Sequence, residues 1–215
     1  MAQIFPKWTN RLPVLVVNVV GLVAVVVIVG IWFYWSPRAT DVGYRPTQPQ
    51  KYSHKLHAGD LGIDCRYCHF NIEVSDQANV PATSVCMNCH KLIKPDSDTL
   101  KAVRASFASH TPLEWIRVHN LAGYVYFNHA AHLRAGVGCL SCHGNVAQMV
   151  EVTQQEPLSM GWCLDCHRHP EPSLRPTSEV TNMNWTPPAD QMTIGAKLKA
   201  ERNLKPPVDC SGCHR

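Results

Sequence analysis

Cys65-Arg66-Tyr67-Cys68-His69 is the first of five stretches of one form. The others are Cys86-Met87-Asn88-Cys89-His90, Cys139-Leu140-Ser141-Cys142-His143, Cys163-Leu164-Asp165-Cys166-His167 and Cys210-Ser211-Gly212-Cys213-His214. They use all ten cysteines of the 215-residue chain, and every pair is followed at once by histidine. A structural zinc site would need two such pairs per ion and no histidine after each one. A single pair could be a thiol redox centre, but five repeats without exception do not fit that reading. Cys-x-x-Cys-His is the attachment signature of haem c. The two thiols add to the two vinyl groups, the two-residue gap matches their separation, and the histidine lies under the iron as fifth ligand. The cofactor expected is therefore five covalent haems c, with His69, His90, His143, His167 and His214 as proximal ligands.

Upstream of the first and third motifs lies a second pattern. Tyr52-Ser53-His54-Lys55-Leu56-His57 and Phe127-Asn128-His129-Ala130-Ala131-His132 both read aromatic-x-His-x-x-His, about ten residues before the first cysteine. A second Cys-x-x-Cys-His follows each some twenty residues later. Residues 52–90 and 127–167 thus read as two copies of a two-haem unit, with a fifth haem appended over 205–215. This element followed by the haem motif resembles the class III multihaem cytochromes c. The resemblance implies that His54, His57, His129 and His132 are sixth ligands, each pair serving two different haems. One iron is left. His119 and Met149 are equal candidates for it, Met160 and Met183 follow, and His110 and His169 are expected not to ligate. A methionine there would raise that haem's potential above its bis-histidine neighbours.

Residues 12–35 are almost wholly apolar, with Asn18 the main interruption. As a helix rising about 1.5 Å per residue, the run spans the roughly 30 Å core of a bilayer. Trp8 on one side and Trp32, Tyr34 and Trp35 on the other stand where interfacial aromatics stand. The run is longer than a signal-peptide core, and bulky Trp32-Phe33-Tyr34-Trp35 follows where a peptidase needs small residues, so an uncleaved anchor is expected. Lys7 and Arg11 place residues 1–11 in the cytoplasm, a bias that Arg38 weakens. Haem attachment outside the cytoplasm agrees, giving a single-pass inner-membrane protein with a periplasmic haem domain. The net charge of +4 is spread without a basic block, which excludes a nucleic-acid-binding role.

Residues 36–51, with Pro37, Pro46 and Pro49, read as an extended linker before the haem domain at 52–215. Between the repeats, Ser97 or Asp98 can cap a helix carrying Leu100, Val103 and Phe107 at helical spacing. A short helix is expected from about Ile194 to Asn203. The chain beyond the anchor is too short to build a conventional core around five porphyrins. The fold expected is mainly α and irregular: one N-terminal transmembrane helix and a multihaem cytochrome c domain whose core is largely haem.

The whole layout is similar to the pentahaem cytochrome c subunit of alternative complex III. Trp115-Ile116-Arg117-Val118-His119-Asn120-Leu121 and Met160-Gly161-Trp162-Cys163-Leu164-Asp165-Cys166-His167-Arg168 carry the likeness with the motif order. It implies an electron-transfer subunit, non-catalytic alone. Its expected partners are an iron–sulfur subunit and integral membrane subunits of a quinol-oxidising complex. Electrons would pass to a monohaem or soluble cytochrome c or another acceptor. The competing layout is a membrane-anchored multihaem quinol dehydrogenase feeding a periplasmic reductase. Such proteins usually begin their first motif nearer the membrane, whereas here the linker intervenes.

Overall fold

The computed structural model describes residues 4–35 and 41–214. Part of the expected linker, including Pro37 and Arg38, lies outside the described residues. The chain divides into two units, Met1–Asp41 and Val42–Arg215.

The first unit is a 3-10 turn, Lys7–Arg11, leading into helix α1, Leu12–Tyr34. Pro13 falls in its first turn, where its missing N–H costs no helical bond. The helix is apolar on every side and none of its residues is buried. A helix of that kind suits a lipid surround, because water offers its side chains nothing. Lys7–Tyr34, with mean hydropathy 3.1, is long and apolar enough to cross a membrane.

The second unit is built of short helices and loops, with no named sheet among the described residues. Its elements after α1 are α2 (Cys65–Cys68), α3 (Thr83–His90), α4 (Lys101–Ser109), α5 (His129–Ala135), α6 (Leu140–His143), α7 (Met160–Arg168) and α8 (Gln191–Glu201). Isolated bridges join Val125 to His214 and Val137 to Leu174. Polar caps start several of the motif turns. Asp64 accepts from Arg66 N, Ser159 from Trp162 N and Asp209 from Gly212 N. Asn128 caps α5 by accepting from Ala131 N, which begins the helix at His129.

The expected helix between the repeats is a 3-10 turn, Asp98–Leu100, continued by α4. Ser97 precedes the turn without a side-chain cap bond. The later helix runs Gln191–Glu201, earlier than expected at both ends. Gly195 lets it lie directly on the Glu171 carbonyl, where any Cβ would collide. Gln191 Nε2 donates to the carbonyls of Glu171 and Leu174, at 2.9 and 2.7 Å.

Residues 44–50 carry no regular secondary structure and are bonded to the rest of the second unit. Gly43 N donates to Gln154 O (2.8 Å) and Gln154 N to Tyr44 O (3.1 Å). Gln48 pairs through its amide with both Ile116 O (2.8 Å) and Ile116 N (2.9 Å). Gln50 donates to Thr99 O at 2.8 Å. Backbone polar groups need partners, and the Gln48 and Gln50 amides supply them to Ile116 and Thr99, which ties this segment to the second unit beginning at Val42.

The protein's own apolar core is small. Ile72, Leu133 and Val180 pack together with Ala78 and Cys139, bringing three distant segments into contact. Leu174 is almost completely buried. Meanwhile Phe70, Val74, Val80, Leu92 and Ile93, which flank the first two motifs, lie on the surface. Apolar faces beside the motifs are what a porphyrin packs against, and they fit a core supplied largely by haem.

Candidate haem sites

Each motif closes a turn that brings its histidine back over the first cysteine. His69 N donates to Cys65 O, His143 N to Cys139 O and His214 N to Cys210 O, each at 2.9 Å. The local bond holds cysteines and histidine on one side of one turn, as covalent attachment and ligation of a single haem require.

The histidine tautomers are set next. His69 Nδ1 donates to Asn79 O (2.7 Å), His90 Nδ1 to Ile93 O (3.0 Å), His167 Nδ1 to Pro207 O (2.7 Å) and His214 Nδ1 to Tyr124 O (3.3 Å). The histidines of the repeated element behave alike. His57 Nδ1 donates to Ser53 O (2.9 Å), His129 Nδ1 to Asp76 O (2.8 Å) and His132 Nδ1 to Asn128 O (2.7 Å). A carbonyl only accepts, so the proton sits on Nδ1 and the Nε2 lone pair is left for a metal.

The two repeats share their geometry. Tyr52 meets His54 edge-on (4.8 Å, 88°) and stacks on His57 (4.5 Å, 23°). Phe127 meets His129 edge-on (4.7 Å, 88°) and stacks on His132 (4.5 Å, 29°). The aromatic ring therefore props both imidazoles in fixed directions, and the repeat seen in sequence is a repeat in space.

Those directions bring histidines together in pairs. Ring centroids lie 6.2 Å apart for His57 and His90, 6.1 Å for His132 and His167, and 6.4 Å for His129 and His143. Two imidazoles on opposite sides of one metal ion, each nitrogen about 2 Å from it, have centroids roughly 6 Å apart. Among the described residues no three His, Cys, Asp or Glu side chains converge as a cage for a bare ion. Two protein ligands per metal is what remains when a porphyrin provides the other four, so the donor set fits haem.

Burial keeps several of these rings neutral, the form that binds metal. It pushes His54 down to about 4 and His143 to about 3, with nearby histidines adding to both. His132 and His119 are lowered by burial as well. His54 Nδ1 is buried without a hydrogen-bond partner, unlike its counterpart His129.

The two residues considered for the last iron lie near the third motif and the first repeated element respectively. His119 Nε2 lies 3.3 Å from His143 Nδ1, with the rings edge-to-face at 4.4 Å. Met149 accepts from Lys55 N through its carbonyl (2.9 Å), beside the first repeated element. The ring packed against His214 is Tyr124. The carbonyls of Asp76, Asn79, Ile93, Tyr124 and Pro207 were not legible in sequence, because a backbone acceptor leaves no residue-type signal. Arg175 was also unforeseen. Its buried guanidinium lies over the Trp185 ring (5.3 Å) and reaches Ser141 Oγ (3.4 Å).

Comparison with known proteins agrees with this geometry. The family model described as cytochrome c7 and related cytochrome c matches residues 125–215. The multihaem cytochrome c subunit of the menaquinone reductase of Nitratidesulfovibrio vulgaris strain Hildenborough is 31% identical over 125 residues. That stretch is 58% of this chain and 56% of the relative, so the chain spans little more than half of the curated protein it matches. The stretch matched by the family model contains the third, fourth and fifth Cys-x-x-Cys-His motifs.

Proposed function

We propose that this chain is a five-haem electron relay, anchored by α1 with its haem domain on the periplasmic side, within a quinone-linked membrane complex. The haems, when bound, exchange single electrons at iron. The chain's part is to fix where those irons sit and how they are ligated. His69, His90, His143, His167 and His214 hold one side of each haem, and His54, His57, His129 and His132 supply the second ligand to four of them. The observation that carries the reading is the set of facing imidazole pairs 6.1–6.4 Å apart with Nδ1 atoms committed elsewhere. No open coordination position is needed for that arrangement, which favours a relay over a reductase.

The finer reading is the pentahaem subunit of alternative complex III, passing electrons from quinol oxidation to a cytochrome c or another acceptor. Its partners would be an iron–sulfur subunit and integral membrane subunits. The relative's role in a menaquinone reductase supports a second reading with electrons flowing towards menaquinone. One experiment separates them. The native complex is isolated in mild detergent, its subunits are identified by mass spectrometry, and haem per chain is counted. Quinol-driven cytochrome c reduction and menaquinone reduction by a reduced periplasmic donor are then compared. Five haems and faster quinol oxidation support the first reading, and faster menaquinone reduction supports the second. A lone chain that oxidises quinol unaided would overturn both in favour of an anchored quinol dehydrogenase.

A further inference from the structure

The five motifs do not follow one another in space as they do along the chain. The second motif packs on the first: Asn88 Nδ2 donates to Tyr67 Oη at 3.2 Å, joining the residues between the two cysteine pairs. His57, at the head of the first motif's unit, lies with its ring centroid 6.2 Å from that of His90 in the second. The first motif, in turn, packs on the third. The sulfurs of Cys65 and Cys139 lie close to each other. Gly59 lies against the Ala147 carbonyl, and Lys55 N donates to Met149 O at 2.9 Å. The segment at Val180–Thr181 ties the same two motifs, with Cys139 N donating to Val180 O (2.9 Å) and Thr181 Oγ1 to Asp64 Oδ2 (3.1 Å).

Beyond the third motif the order becomes that of the chain. His132, at the head of the third motif's unit, faces His167 of the fourth. The fourth meets the fifth through His167 Nδ1 and Pro207 O (2.7 Å), and Pro207 packs on Gly212.

A thioether pins one edge of a porphyrin at its cysteines, so motifs whose cysteines touch hold porphyrin edges close together. Electron tunnelling falls steeply with edge-to-edge distance, so nearest neighbours define the path. We propose that the haem sites are wired in the order second, first, third, fourth, fifth, with the sites of His90 and His214 at the two ends and the site of His69 inside. This rests on the five-haem relay reading. It inverts the chain order at the first pair, because each two-haem unit folds back and the first motif of one unit docks on the first motif of the other.

Two variants of the full-length chain in its complex test it. His57→Met alters the second site, whose His90 it lies beside, and His54→Met the first, to which the relay reading assigns the remaining histidine of that element; each replaces one ligand histidine and raises the potential of that site. Haem content is counted first, and a parent protein without five haems removes the relay reading itself. Redox titration followed haem by haem by EPR then counts the neighbours whose potentials move when the altered site is reduced. The proposed order gives one moving neighbour for His57→Met and two for His54→Met. Chain order gives the reverse, and that result or equal numbers would overturn the proposal. Iron–iron distances in a density map of the unaltered complex read the same order without any variant. The first-to-third distance should be shorter than the second-to-third, and the opposite result would overturn the order even if both variants failed to assemble.

Discussion

His119 carries the sharpest test of how the third site is supported. His143 is largely buried, and its Nδ1 meets His119 Nε2 at 3.3 Å rather than a backbone carbonyl. Replacing His119 by leucine fills nearly the same space but removes the acceptor. A buried donor left unpaired costs about 1–3 kcal/mol. For a chain of this length each kcal/mol moves Tm by roughly 2–4 °C, so a fall of about 2–12 °C is expected. His119→Gln keeps an acceptor within reach and should recover much of it. The assay is thermal unfolding of the detergent-solubilised protein followed by Soret-band circular dichroism, beside an EPR spectrum of the oxidised state. The expected spectrum holds the same number of low-spin haems as the parent. A new high-spin ferric haem in His119→Leu would refute the reasoning, because it would mean that His119 was itself an axial ligand. An unchanged Tm would refute the hydrogen bond.

Four further outcomes follow from the packing. Gly195→Ala should destabilise the domain by about 1–3 kcal/mol, since its Cβ collides with the Glu171 backbone. Gly161→Ala, in helix α7 with open space around it, should instead be neutral or stabilising by up to about 1 kcal/mol; urea melts of the two variants check the contrast. Gln191→Leu strips two buried carbonyls of their donor and should lower stability by about 2–4 kcal/mol in the same melts. Lys199 holds the Glu171 carboxyl below its ordinary 4.5, so the stabilisation is full above that value and is lost as pH falls through the lower folded-state value. Tm of the parent should therefore exceed that of Glu171→Gln at pH 6–7, with the gap closing on acidification below about pH 4.

The haem-attachment motif was legible in sequence because it is a local pattern. Two sulfurs, one imidazole and a single turn of backbone are complete within five residues, whatever the rest of the chain does. The aromatic-x-His-x-x-His element was legible for a similar reason. Its ring contacts, the same in both copies, are made within six residues. The apolar run of α1 likewise needs only its own composition. Long-range closure decided the rest. Residues 44–50 carry no apolar pattern, and only the fold shows that Gln48 and Gln50 find carbonyls 68 and 49 residues away, respectively. His119 stood beside Met149 as a ligand candidate because a histidine's role depends on what its nitrogens meet. Only the fold placed it against His143. The neighbour relations of the motifs also lay beyond the sequence. Spacing records distance along the chain, whereas the meeting of Cys65 with Cys139 is set by how two folded units pack their faces together.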